Sequence, residues 1–304
     1  MFKVTTTKND NSLLNEVIIT NESLNLEVSI YPNLGATLQK LAKNGIEIID
    51  GITNDEAGLA LYKSKFNAAF LFPSPNRIAN GKYTFNNIDY QLECNETALN
   101  NSLHGHIYNK AFEVSKTVAD ANSAAITFSY SNDGSVVGFP FSYELDIIYT
   151  FTKNGLTLDF KVNNTGNQEF PFGLGWHPYF NAENLKESVL DFEGSKKYFL
   201  NDKNIPLNEV ELPFSTPLTL GDTFLDDCFL TTKPATTFTT DTYKVALSFT
   251  SQTKESFLQV YTPDTRNCIA IEPMTCAPDC FNNKNGLLTL KPAETFDWNI
   301  TMKY

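Results

Sequence analysis

Three histidines, two arginines and a handful of carboxylates hold most of the chemistry open to this chain of 304 residues. His177 stands in Gly173-Leu-Gly-Trp-His-Pro-Tyr-Phe180 and Glu272 in Cys268-Ile-Ala-Ile-Glu-Pro273, each directly before a proline. Proline disfavours the α region for the residue ahead of it, so both backbones are expected to be extended, their side chains projecting from strand ends. A carboxyl and an imidazole, which ordinarily titrate near about 4.3 and about 6.5, suit general base and general acid work at neutral pH. Taken singly, Glu272 could as well face solvent, because carboxylates are rarely buried unpaired, and His177 could be a core imidazole among aromatics. Trp176 and Tyr179 are expected to alternate away from the imidazole and brace it, while Gly173 and Gly175 let the chain run close to a cleft.

Arg77 lies in Phe72-Pro-Ser-Pro-Asn-Arg-Ile-Ala-Asn-Gly81, a loop braced by prolines. Its planar fork of donors matches vicinal hydroxyls or a carboxylate, or else binds loop carbonyls. In Asn101-Ser-Leu-His-Gly-His106, a strand conformation would put the rings of His104 and His106 on one side, the geometry of a metal pair, although no carboxylate-rich neighbour completes it. Otherwise His106 is a polar loop residue. Five cysteines form no disulfide framework, and zinc at Cys276 and Cys280 would need further ligands, so free thiols and no metal are expected. The triplets Asn95-Glu-Thr and Asn299-Ile-Thr read as chance in an Asn-rich chain.

The elements that must position these groups alternate with a period of two. Strands are expected at 24–30, 125–130, 244–250, 257–262, 268–272, 287–290 and 295–302, with no long amphipathic helix. Residues 81–92 read as a hairpin around Asn86-Asn87, since Asn tolerates the positive φ of a two-residue turn. A second hairpin runs from Tyr143 to Val162 through Lys153-Asn-Gly155. Many short strands between Gly, Pro and Asn clusters, with no linker or repeat, predict one all-β domain over 1–304, a large antiparallel sandwich.

A net charge of −12 and a pI near 4.7 speak against nucleic acid as partner. No run of 18 apolar residues and no signal peptide is evident, so a cytoplasmic protein without membrane attachment is expected.

Together these stretches resemble the aldose 1-epimerase (galactose mutarotase) family: Asn76-Arg77-Ile78 with Gly81 and Tyr83, Leu103-His104-Gly105, His177-Pro-Tyr-Phe180, Leu225-Asp-Asp-Cys-Phe229, Leu258-Gln-Val-Tyr261, and Ile271-Glu-Pro-Met-Thr275 followed by Pro278-Asp279 and Phe281-Asn282. The resemblance implies a β-sandwich of the galactose mutarotase type with an open sugar cleft, no cofactor, a monosaccharide as partner, and a monomer or homodimer. It implies interconversion of the α and β anomers of a free aldohexose, with Glu272 as general base and His177 as general acid. Asn76, Arg77, His104, Asp226 and Gln259 would contact the sugar or support those that do. The alternatives are a hexose-6-phosphate mutarotase and a sugar-binding protein of the same fold. His106 departs from the family, which often has glycine there, and would narrow the cleft or add a polar contact.

Overall fold

The computed structural model describes residues 1–251 and 256–304. They form an all-β, antiparallel sandwich. An N-terminal five-stranded sheet, Lys3–Thr7 to Ile46–Glu47 in chain order, accompanies a fifteen-stranded sheet. The central path of the large sheet runs Gly155–Asn164, Thr295–Lys303, Lys244–Phe249, Asp226–Thr239, Ser256–Tyr261, Cys268–Met274 and Gly175–His177. One apolar cluster joins Val28, Ile30 and Leu41 of the small sheet to Phe128, Tyr149, Phe160, Phe180 and Trp298 of the large one. Each such side chain gains about 1.5–3 kcal/mol on leaving water, and Tyr149 satisfies its hydroxyl on the Ala36 carbonyl at 2.7 Å.

Alternation located the strands well. Ser142–Thr152 and Gly155–Asn164 pair with Phe151 opposite Leu156 and Ile147 opposite Phe160, all buried. Lys82–Phe85 and Ile88–Gln91 are joined by Asn86 and Asn87, both at positive φ, 49° and 62°. The strand expected at 24–30 begins instead at Leu26, after a 3-10 turn that ends on Asn25 in the left-handed region. A short helix, Glu56–Lys65, starts where the Asp55 carboxylate accepts the Gly58 N–H at 2.8 Å and stops where Phe66 turns left-handed.

The strand through Glu272 does not end there. Cys268–Met274 continues through Pro273, and Glu272 sits inside it rather than at its tip. A proline survives in this interior strand because the neighbouring ladder is broken. Tyr179–Asn181 pairs with Cys268–Ala270, and Gly175 pairs with Met274, while between them the ladder is interrupted and the Ile271 N–H donates to the Pro178 carbonyl at 3.2 Å. The gap holds Pro178 and Pro273, neither of which has an N–H to give. The pairings on its two sides, Tyr179 with Ala270 and Gly175 with Met274, share one register, and that register sets His177 opposite Glu272.

Candidate active site

Adjacent strands lay a row of polar side chains across the sheet. Gln259 is the cross-strand partner of Glu272 and, on its other side, of Cys228; Asp226 follows two residues before Cys228 on the same face. With His177 opposite Glu272, the row reads Asp226, Gln259, Glu272, His177. Apolar patches lie to either side of it: Tyr198, Cys228, Leu230, Phe257 and Met274 on one, Tyr179, Tyr261, Cys268 and Ala270 on the other. Within the row His177 Nε2 lies 3.3 Å from Glu272 Oε1. Tyr179, two residues on from His177, shares its face and stacks on the imidazole at 5.1 Å, whereas Trp176 points into the core against Phe70. The expectation that Tyr179 turns away from His177 is therefore corrected, by the same period-two rule that takes Trp176 inward.

Two loops close over this row. Asn76 Nδ2 donates to Gln259 Oε1 at 3.2 Å, and Gln259 Nε2 donates to Asp226 Oδ1 at 2.9 Å, so the Gln259 amide is held from both ends. Asn76, His104 and Asp279 all adopt left-handed φ, between 58° and 64°, a concentration of backbone strain typical of functional loops. The Asn76 N–H donates to His104 Nδ1 at 3.3 Å, which leaves Nε2 as the protonated nitrogen of a neutral donor ring. That ring meets His177 edge-on at 5.2 Å and Phe66 at 4.9 Å. The glycines of the His177 stretch serve this approach: a Cβ on Gly175 would fall 2.9 Å from Pro75 Cβ, and one on Gly173 would meet Cys276 Sγ at 2.3 Å.

His104 and His106 do not share a side. Gly105 at φ 67° turns the chain, and a Cβ there would lie 2.1 Å from the Phe72 carbonyl oxygen. His106 instead bonds the Tyr143 hydroxyl at 2.8 Å and lines a separate hollow of about 350 Å³, together with Ser74, Ser102 and Tyr108. None of the seven expected site residues lines that hollow.

Burial governs the electrostatics. Glu272 is 1% exposed and does not face solvent; loss of water pushes its carboxyl well up, Asp226 pushes it further, and Arg77 opposes. The same desolvation takes His177 down to about 4. His104 is likewise held well below the usual imidazole range, by burial first and then by His177 and Arg77. Asp226 is open to water yet crowded by protein, which raises its carboxyl, with Arg77 opposing and Asp227 and Glu96 adding to the rise. Burial penalises the charged forms of both Glu272 and His177, 3.3 Å apart, and so drives the contact toward a neutral pair. In that neutral form the pair holds one titrating proton, on the Glu272 carboxyl.

The seven expected residues are linked by direct contacts. Two partners were not legible beforehand. Glu96 receives Arg77 as a fork, with Nε at 3.0 and 3.1 Å and Nη2 at 2.8 Å, so the guanidinium is bound to a carboxylate and not to loop carbonyls. Asp279 accepts the Ala79 N–H at 2.9 Å and gives its own N–H to the Arg77 carbonyl at 2.7 Å. Asn95 clasps Leu103 through both its amide oxygen and nitrogen.

A family model described as Aldose 1-epimerase matches residues 16–303. Among curated proteins, the chain is 27% identical over 270 residues to the uncharacterized protein YihR of Escherichia coli K12, across 85% of this chain and 84% of that one. It is 28% identical over 160 residues to the galactose mutarotase of Bos taurus, across 52% of this chain and 44% of that one. Among solved structures, a galactose mutarotase-like protein from Clostridium acetobutylicum superposes with a TM-score of 0.83 at 18% identity, covering 99% and 97% of the two chains. A galactose 1-epimerase from Lactobacillus acidophilus NCFM gives 0.79 at 16%, covering 100% and 98%.

Proposed function

The chain belongs to the aldose 1-epimerase family, and we propose that it interconverts the α and β anomers of a free aldohexose of the galactose or glucose kind through Glu272 and His177. In the reactive form the shared proton moves from Glu272 to His177 along their 3.3 Å contact, leaving a carboxylate base beside an imidazolium acid. The carboxylate takes the proton of the C1 hydroxyl, the C1–O5 bond breaks as the C1 carbonyl forms, and O5 takes the proton of the imidazolium. After rotation about C1–C2 the same steps run backwards on the other face of the carbonyl.

Ring opening leaves Glu272 protonated and His177 neutral, the distribution that burial favours in the free site. The site therefore stabilises its proton arrangement while the open-chain aldehyde is bound, and the charges separated in forming the carboxylate and imidazolium are cancelled again as the ring opens. In this reading His104 Nε2–H and the free edge of Arg77 donate to sugar hydroxyls, and Asp226 accepts from one. Redox chemistry and covalent adducts are not required.

The observation that carries this reading is the register that sets His177 opposite Glu272, both buried and 3.3 Å apart, at the end of a polar row. Polarimetry on freshly dissolved α-D-galactose and α-D-glucose tests it. The approach to equilibrium rotation should accelerate in proportion to protein concentration and saturate with sugar; a rate equal to that of buffer for both sugars contradicts it.

A further inference from the structure

Arg77 is the guanidinium near the polar row, and its charge is already matched by a carboxylate. Its Nε and Nη2 edge is taken by Glu96, at side-chain exposures of only 13% and 16%. Glu96 is itself fixed. Its backbone N–H and carbonyl exchange two hydrogen bonds with Asn101, at 3.1 and 3.2 Å, and Asn101 Nδ2 donates to Glu96 Oε2 at 2.9 Å. The same Asn101 amide donates to the Lys203 carbonyl at 2.9 Å, which ties this corner to a second loop. Arg77 in turn is held by pairing with Leu103 in the backbone ladder.

Two consequences follow for a ligand in the cleft. The Nη1 end of Arg77, with the outward Nη2–H, remains to donate to ligand oxygens, so its geometry alone does not select among them. The positive charge of Arg77 is also cancelled by Glu96, so with Asp226 the cleft carries two carboxylates against one guanidinium, while Glu272 and His177 together add no net charge.

We propose that Glu96 is a specificity-determining residue: by pinning and neutralising Arg77 it restricts the cleft to uncharged aldoses and turns away those bearing a carboxylate or phosphate. This rests on the reading of the cleft as an aldose site and deepens it by naming the substrate class. Glu96 touches no substrate; it acts through Arg77.

The test compares D-glucose, D-glucuronate and D-glucose 6-phosphate with the protein and its Glu96→Gln variant, by magnetisation-exchange NMR of the anomeric protons and by calorimetric binding. The wild type should favour glucose over both anions by more than about tenfold in kcat/KM, the discrimination that like-charge juxtaposition supports, and that preference should shrink with added salt. In Glu96→Gln the ratio should fall by about tenfold or more, through KM for the anions, with kcat for glucose little changed. Equal wild-type rates on charged and neutral sugars overturn the proposal, as does a parallel loss on all three substrates in Glu96→Gln, which would mark a merely structural ion pair. Should Glu96→Gln fold poorly, the wild-type ratio and its salt dependence still decide. A protein that binds glucose in preference to the anions yet accelerates no anomerisation would contradict the catalytic reading while leaving the charge selectivity standing.

Discussion

At the scale of single residues, the pre-proline positions of His177 and Glu272 were the most legible feature, because a proline restricts its predecessor whatever the tertiary context. Their protonation was not legible. Ordinary values make Glu the ionised partner and His the acid, but a pKa depends on burial, which no local pattern displays. The pair is active while it holds one proton, so its pH limits are the loss of that proton and the gain of a second. Gain of the second occurs at His177, near pH 4, well below the ordinary imidazole range. Loss of the first belongs to Glu272, whose burial delays it far above the ordinary carboxylate range. The kcat/KM profile should therefore stay level from about pH 5 to 7 and fall on the acid side toward pH 4, both limits being properties of the coupled pair. An acid limb centred near pH 6.5 would show instead that His177 titrates as a solvated imidazole. Glu96 lay beyond sequence reasoning because its partner is 19 positions away across a loop crossing.

Among the elements, the hairpins at Asn86-Asn87 and Lys153-Asn154 were readable from turn chemistry and alternation. The gap in the ladder between Cys268–Met274 and its two short partners was not. It takes Pro178 and Pro273 falling in the same short stretch, opposite Ile271 and Trp176, and that placement depends on a register set on either side of it. Glycine has a definite duty at this junction, since Gly175 allows Pro75 and Leu71 to pack directly on the backbone. Gly175→Ala should lower stability by about 1–3 kcal/mol through overpacking and should also push the Pro75-Asn76-Arg77 loop away from His177. The expected outcome is a lowered denaturant midpoint together with a raised KM for the sugar. Unchanged values of both would mean that the loop yields without cost.

For the whole molecule, the all-β sandwich followed from alternation and turn residues, while the share of strands between the two sheets did not, since the order of strands across the large sheet departs from chain order. All three histidines lie in the fold with pKa values below that of a free imidazole, His106 and His177 down to about 4 and His104 well below its usual range, each chiefly through burial. An unfolded chain takes up protons on these rings as pH falls through about 6.5, whereas the folded chain does not until about 4. Stability from them is full above about pH 6.5 and is lost as pH falls toward 4, by up to about 1.4 kcal/mol per pH unit for each proton taken up on unfolding. Glu272, Asp226 and Asp279, raised in the fold, work in the opposite sense, and the three histidines are expected to outweigh them between pH 7 and pH 5. The melting temperature should accordingly drop between pH 7 and pH 5, and less so in His106→Gln; a melting temperature that rises on acidification would refute this balance. The central claim, that Glu272 and His177 open the sugar ring as a proton-sharing pair, is tested most directly by the rate of mutarotation of freshly dissolved α-D-galactose or α-D-glucose with Glu272→Gln. A correctly folded variant slowed by about 10²- to 10⁴-fold relative to the wild type is the predicted result, and a variant as fast as the wild type would contradict the account.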